Sequence, residues 1–288
     1  YISKSILPHQ KIDIIHSHFS YPAGFLGVIV QKLKGIPHVL TEHSWVQKHF
    51  RSLIHRLCVK YALNNASGII AVSSALKNNI ERYTSNTVRV LHNTVDTSKF
   101  RLKGAASPGI FKAGILGGYS NYRKGLDILI RAFAILKRPD ILVHVGGDGT
   151  LLDGFKKLAT DLGVTGNFVF HGSIDPGKVP DFLSSLDFFL LPSRDETFGV
   201  VVIEALACGL PVIATKCGGP DEIINDSNGI LIQVEDIQGL AEAIKKMSAG
   251  LSSYNGQEIR ENVRIDFGAD TFCNKIQQIY SQLVSSRA

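Results

Sequence analysis

Two glutamates, Glu196 and Glu204, stand in residues 192–209 (P-S-R-D-E-T-F-G-V-V-V-I-E-A-L-A-C-G), between two strongly apolar stretches. Residues 188–191 (F-F-L-L) are a short continuous apolar run that predicts a parallel strand covered on both faces. Pro192 and Ser193 end it. From about Phe198 the apolar spacing turns helical through Val201, Val202, Ala205 and Leu206, with Gly209 as a left-handed stop and Pro211 close behind. Residues 211–214 (P-V-I-A) predict the next strand. In such a strand–loop–helix–strand unit, the loop at the carboxyl end of the first strand borders the ligand crevice of an open sheet. Glu196 then lies on that loop or at the helix start, and Glu204 about two turns along the helix. The two carboxylates are roughly 10 Å apart, too far to share a proton. They suit hydroxyls at opposite ends of an elongated polar ligand. The backbone N–H groups of Phe198, Gly199 and Val200 at the helix start suit an anion such as a diphosphate between them. The plainer alternative is that Asp195 and Glu196 only favour the positive end of the helix dipole and that Glu204 is a solvated helix residue.

The full string resembles the signature of the retaining GT-B glycosyltransferases of family 4 (glycosyl transferases group 1). Proline-serine, a glutamate, phenylalanine-glycine, glutamate-alanine and a closing glycine-x-proline-valine follow in that order up to Val212. The resemblance implies an α/β fold of two Rossmann-like domains facing a cleft. It implies transfer of a hexose from a nucleoside-diphosphate sugar, a UDP-sugar or GDP-mannose, to a hydroxyl of a lipid-linked or oligosaccharide acceptor in bacterial polysaccharide or glycolipid assembly, with no metal and no cofactor besides the donor. Glu196 would orient the sugar hydroxyls and Glu204 the ribose hydroxyls, with Thr197, Phe198, Gly199 and Val200 also binding donor. Retention without a covalent nucleophile is read in this family as front-face attack, a diphosphate oxygen assisting deprotonation. The rival readings are an epimerase or phosphorylase of the same fold acting on sugar nucleotides, and a non-catalytic nucleotide-sugar-binding protein.

The elements that must position these residues are constrained by the whole chain. Its 288 residues, 44% hydrophobic, can bury one large core or two medium ones, and two domains are the better expectation. Four cysteines, Cys58, Cys208, Cys217 and Cys273, are scattered without metal-ligand spacing, which fits buried thiols in a reducing compartment. No apolar run reaches membrane-spanning length and no signal peptide opens the chain, so a cytoplasmic location is expected. Residues 1–100 hold 12 Lys+Arg against 4 Asp+Glu, whereas residues 101–288 hold 19 against 21. The basic first third is compatible with an anionic acceptor or with peripheral attachment to the inner face of the plasma membrane, and equally with a solvated surface. No repeat is present, and the aromatics do not interleave with basic residues as in nucleic-acid modules.

In chain order, residues 12–15, 38–40 and 68–72 predict strands, separated by a helix over about 23–34, in a βαβαβ parallel pattern. That is short of a full Rossmann-like domain. Tyr1 is not an initiator, and the resemblance implies that an earlier portion with the first strand and its glycine-rich acceptor-side loop lies outside this chain. His16 and His18 follow the first predicted strand at its carboxyl end. The resemblance places a histidine facing the transferred sugar at His18. Thr41, Glu42 and His43 end the second strand in the same way and form a weaker candidate. H-x-H on one loop with no nearby cysteine does not match zinc-ligand spacing. Residues 45–63 predict one amphipathic helix, with Val46, Phe50, Leu53, Ile54, Leu57 and Tyr61 on a face expected to pack on the sheet, or to touch a membrane. Ser73 and Ser74 cap a helix over 75–83, and residues 88–91 predict a strand.

The family's asparagine-glycine-valine-aspartate reads Asn93, Thr94, Val95, Asp96 here, and residues 101–109 read as the interdomain linker. Residues 113–116 predict a strand, followed by G-G-Y-S-N-Y-R-K-G and a helix over 126–137. Arg123 or Lys124 beside Gly125 suits a diphosphate, or is simply solvated. The resemblance selects Lys124. Many members carry an arginine where this chain has Gly118, which leaves Arg123 as the second cation or leaves a weaker clamp. Residues 141–145 and 168–170 predict strands. The glycine cluster Gly146, Gly147 and Gly149 lacks the spacing of a nicotinamide site. The stretch His171, Gly172, Ser173 and Ile174 is where members seat the nucleobase, which marks Gly172 and Ile174 as donor-binding. Residues 241–247 are helical, and the last helix, about 269–284, is expected to return to the first domain. The expected domains are thus 1–103, 104–268 and the returning helix at 269–288, with Lys124, Glu196 and His18 as the catalytic residues.

Overall fold

The computed structural model describes residues 11–104 and 109–285, which divide into two compact units. One takes in the chain up to Asn93 together with the chain from Asp270 onward; the other runs from Thr94 to Ala269. The division falls ahead of residue 103 because residues 94–103 are tied into the second unit. Val95 N–H and Thr94 Oγ1 both donate to Phe267 O, at 2.9 and 2.8 Å, and Lys103 N–H donates to Cys208 O at 2.9 Å. The Arg260 guanidinium binds the carbonyls of Thr97, Phe100 and Ala207. Of the expected linker, residues 105–108 lie outside the described residues.

The first unit carries four parallel strands in sequence order: β1 (Ile15–His18), β2 (His38–Glu42), β3 (Gly68–Ala71) and β4 (Val88–Val90). β1 begins three residues later than the apolar run suggests, because its partners are His38 to Thr41, from Ile15↔His38 to His18↔Thr41. His16 and His18 therefore lie within the strand instead of on a loop after it. The helices between the strands are α1 (Phe25–Lys34), α2 (Leu53–Asn65) and α3 (Ser74–Ile80), the last capped by Ser73, whose hydroxyl accepts the N–H of Leu76 at 3.0 Å. The final helix, α10 (Ala269–Ser285), buries Ile276 and Ile279 against Val39, Ile70 and Leu91 of this unit.

The single helix expected over 45–63 is two elements. Val46–His49 is one 3-10 turn, and α2 starts only after Ser52, whose hydroxyl accepts the N–H of His55 at 3.2 Å. Nor does the expected apolar face pack on the sheet. Val46 is buried, but Leu53, Ile54 and Leu57 are exposed, and α2 instead buries Val59, Ala62 and Leu63.

The second unit holds six parallel strands: β5 (Phe111–Leu116), β6 (Ile141–Gly146), β7 (Phe168–Gly172), β8 (Phe188–Leu191), β9 (Val212–Thr215) and β10 (Gly229–Ile232). Their order is β10-β9-β8-β5-β6-β7. The chain builds outward from β5 through β6 to β7, then returns to the other side of β5 and builds outward again. The strand order therefore reverses between β5 and β8, which pair at Ala113↔Phe188 and Gly114↔Phe189. β8 and β9 are buried at every residue, as strands covered on both faces require, whereas the edge strand β7 exposes Val169 and His171. The connecting helices are α4 (Leu126–Leu136), α5 (Leu152–Asp161), α6 (Val179–Ser184), α7 (Val200–Ala207), α8 (Ile237–Ala249) and α9 (Gly256–Phe267). α4 buries Leu126, Leu129, Ile130 and Phe133 in one core with Leu240, Ile244 and Met247 of α8. Truncating Phe133 there would cost about 3–5 kcal/mol.

Candidate functional site

In an open α/β sheet, ligands bind outside the carboxyl ends of the strands where the strand order reverses. In the second unit that point is flanked by the loop after β5 and the loop after β8. The first of these ends in a 3-10 turn, Tyr122–Lys124, whose start is capped by Asn121 Oδ1 accepting the N–H of Arg123 at 2.9 Å. The turn closes on Gly125 at φ +68°, and a Cβ there would run into the carbonyl of Pro192. Only glycine lets the two loops come so close. The stem of Lys124 lies over Gly117, where a Cβ would stand 2.9 Å from its Cγ.

So placed, Lys124 Nζ donates to Glu196 Oε1 at 2.5 Å. Ser193 Oγ donates to the same oxygen at 3.0 Å, and Arg123 Nη1 lies 3.8 Å from Oε2. Glu196 is 6% exposed, and its backbone pairs with the loop after β9: its N–H donates to Cys217 O at 3.2 Å and its carbonyl accepts from Gly219 at 2.9 Å. A carboxylate this enclosed is costly unless paired. The arrangement keeps one cation and one acceptor-only group together, each able to turn to a ligand. Two cations, Lys124 and Arg123, thus converge on Glu196. Gly118 is exposed, with no heavy atom of the described residues within 4 Å of a Cβ built on it, so the arginine that many members carry there would meet open space.

A residue that sequence reasoning missed holds the two loops together. Arg194 donates in a fork to Asp127, Nη1 to Oδ1 and Nη2 to Oδ2, both at 2.8 Å. It also reaches Tyr122 O at 2.5 Å, Glu235 Oε2 at 3.1 Å and Glu235 Oε1, while its backbone N–H donates to Arg123 O at 2.8 Å. These hydrogen bonds, those to Asp127 first, hold the guanidinium pKa above its ordinary value. The only local signal was an arginine inside P-S-R-D-E; its partners lie 67 and 41 residues away.

α7 begins behind this loop with Gly199 at φ +92° in the capping position and no side-chain cap. Phe198 is buried edge-on against Phe267, ring centroids 5.9 Å apart, which pins the helix start, and Thr197 is half-buried beside it. Glu204, on α7 itself, is half-buried, its carboxylate accepts no hydrogen bond from the described residues, and burial raises its carboxyl pKa. The two glutamates are thus not a pair: Glu196 is engaged with Lys124 and Glu204 is open to a ligand. Gly172 and Ile174 lie at the carboxyl ends of β6 and β7, on the far side of β5 from β8, with Gly172 O accepting from Gly147 at 2.7 Å.

In the first unit, His18 ends β1 and is exposed, its Nδ1 2.8 Å from His43 Nε2 and its ring stacked on His16 at 4.7 Å. His16 is tied at both nitrogens, Nδ1 to Tyr280 Oη at 2.6 Å and Nε2 to Thr41 Oγ1 at 2.7 Å. Burial, then repulsion from His18, His38 and His43, lowers His16 to about 4, and His43 is lowered for the same two kinds of reason. Burial would raise Glu42, but hydrogen bonds from His49 and Ser20 outweigh it and hold that carboxyl below its ordinary value. Among the described residues, no three His, Cys, Asp or Glu side chains gather as metal ligands.

Comparison with known proteins gives a consistent picture. The family model described as Glycosyl transferases group 1 matches residues 116–261, and that of Glycosyltransferase Family 4 matches residues 2–99. An uncharacterized glycosyltransferase of Methanocaldococcus jannaschii is 33% identical over 268 residues, covering 91% of this chain and 71% of its own length. The alpha-monoglucosyldiacylglycerol synthase of Streptococcus pneumoniae is 27% identical over 306 residues, covering 98% of this chain and 69% of its own. Among solved structures, Anabaena HepE in complex with UDP superposes with a TM-score of 0.84 at 22% identity, over 98% of this chain and 82% of that one. Sucrose-phosphate synthase from Thermosynechococcus elongatus does so with 0.82 at 24% identity, over 95% and 74%.

Proposed function

This chain belongs to the glycosyl transferases group 1, the GT-B glycosyltransferases of family 4 type, and from that premise we propose that it moves a hexose from a nucleoside-diphosphate sugar to a hydroxyl acceptor with retention at the anomeric carbon. The observation that carries the donor part is the Lys124–Glu196 pair at the strand-order reversal. When the bond from the anomeric carbon to the diphosphate oxygen breaks, negative charge collects on the diphosphate. Lys124, with Arg123 behind it and the uncapped start of α7, stabilises that charge as it develops. Glu196, released from Lys124, accepts from the sugar hydroxyls, and Glu204 accepts from the ribose. Gly172 and Ile174 border the base, and His18 is assigned to the sugar or acceptor. The new bond joins the acceptor oxygen to the same face of the anomeric carbon, and the acceptor proton passes to the departing diphosphate oxygen. No cofactor besides the donor is invoked.

HepE was solved with UDP and glucose, which makes a uridine donor the first to test; a GDP-mannose-dependent mannosyltransferase among the relatives makes guanosine the second. Relatives named for a glucosyldiacylglycerol, teichuronic acid and lipopolysaccharide core support a glycolipid or polysaccharide acceptor. The enzyme would meet such an acceptor at the inner face of the plasma membrane. The test is nucleoside diphosphate release from uridine, guanosine and adenosine diphosphate sugars, with and without a glycolipid acceptor. Release should require the acceptor, and Glu196→Gln should lower kcat by about 10²–10³ in a chain that still unfolds cooperatively in urea. Release without acceptor, or donor converted to its epimer, would overturn the assignment.

A further inference from the structure

Helix α2 is apolar on two opposite sides. Val59, Ala62 and Leu63 are buried in the first unit, whereas Leu53 and Ile54 are 70% and 71% exposed, with Leu57 and Tyr61 exposed beside them. At about 100° per residue these four fall within one arc of roughly 100°, facing away from the buried side. Leucines and isoleucine massed at that exposure are a patch, not scattered surface residues. α1 borders it: Phe25 meets the Tyr61 ring edge-on at 5.8 Å, and Lys32 Nζ stands 4.9 Å over that ring.

The charges around the patch have one sign. Arg51, Arg56 and Lys60 flank it, and Arg56 stacks over Phe50 at 5.7 Å. Between Asp13 and Glu81 the sequence contains one acidic residue, Glu42, and it is fully buried, so α1 and α2 carry no acidic side chain.

We propose that this face of α2, edged by α1, is a docking surface for an anionic phospholipid bilayer. A bilayer answers both features at once: the acyl boundary takes Leu53, Ile54 and Leu57, and headgroup phosphates take the flanking arginines and lysine. A second copy of this chain fits worse, because a two-fold contact through the patch would bring Arg51, Arg56 and Lys60 towards their own copies with no acidic partner on the face. No helix among the described residues is long and apolar enough to cross a membrane. The proposal gives residues to the membrane association named above and rests on it only for where the acceptor is met.

Co-sedimentation with vesicles, without donor or acceptor, tests the surface independently of the transferase reading. The chain should bind phosphatidylcholine vesicles containing phosphatidylglycerol and leave pure phosphatidylcholine vesicles largely unbound, with binding falling as salt rises. A variant with Leu53→Ser, Ile54→Ser and Leu57→Ser, and separately one with Arg51→Glu and Arg56→Glu, should each bind at least about tenfold more weakly. Both change exposed side chains, and unchanged Tm checks the fold; Ile265→Ser, an exposed site of the second unit, should bind as the parent does. Equal binding to both vesicle types, or undiminished binding by the two variants, would overturn the proposal. So would a dimer in sedimentation velocity that the triple serine variant abolishes, which would give the face to a second copy.

Discussion

The two sheets are built from the same parallel β–α alternation, yet they treat polar groups in opposite ways. In the second unit the strand order reverses, and loops that leave adjacent strands in diverging directions bring a lysine, two arginines and two carboxylates together around Glu196. In the first unit the four strands run in order, and the polar side chains between them are mostly neutral imidazoles and hydroxyls, with Glu42 held by N–H and O–H donors. Among the described residues, charge is concentrated at the strand-order reversal of the second sheet, whereas in the first sheet burial lowers the pKa of His16 and His38.

The largest expected effect breaks the charged side of that contrast. Lys124→Met should lower kcat by about 10²–10³, through loss of the cation facing the developing diphosphate. It should also lower the unfolding free energy in urea by about 3 kcal/mol, since Glu196 stays enclosed with its closest cation removed. Steady-state kinetics beside urea titration reads both, and near-parental kcat would remove Lys124 from the donor site.

The neutral side is tested by pH. His38 is fully buried, its Nε2 bonded to Ser17 Oγ at 2.6 Å and its Nδ1 without a partner among the described residues, and burial lowers its pKa from 6.5 to about 4. Between those values the unfolded chain binds a proton that the folded chain refuses. This contribution is complete above about pH 6.5 and is lost as pH falls towards 4, amounting to roughly 2 kcal/mol by pH 5. His38→Gln should flatten that slope in urea titrations at the two ends of the range, leaving the part due to His16. An unchanged slope would show that the imidazoles are not the neutral ones.

The smallest effect sharpens how the charged site is held. Arg194→Lys keeps the charge but loses the fork to Asp127, so it should cost about 1–2 kcal/mol of stability. Because Arg194 acts on the Tyr122–Lys124 turn, kcat should fall by roughly tenfold with donor KM little changed. A rise in KM alone would mean that Arg194 meets the donor itself.

Much of the fold was legible because buried parallel strands write themselves as apolar runs, as at residues 188–191 and 141–145. Other elements left a signal that was passed over. Leu152, Phe155 and Ala159 of α5, and Ile259, Val263 and Phe267 of α9, recur at helical spacing on their buried faces. β10 is a plain G-I-L-I run after a polar turn. α2 misled for a physical reason: with apolar residues on two opposite sides, periodicity could not say which side the sheet would cover, and only burial separated Val59 and Leu63 from Leu53 and Leu57.

Residue identity and order determined the α/β class and the resemblance to the family, and through that resemblance the choice of Lys124, Glu196 and Glu204 as candidate donor-site groups. What they left open was how those groups meet. That Lys124 is bonded to Glu196 while Glu204 stands apart follows from β8 lying beside β5 and not beside β7. So does the clamp that Arg194 puts on Asp127, Glu235 and the Tyr122 carbonyl. Strand order is decided by which surfaces pack together over the whole domain, and side chains 72 residues apart acquire a shared proton donor and acceptor only once that packing is made.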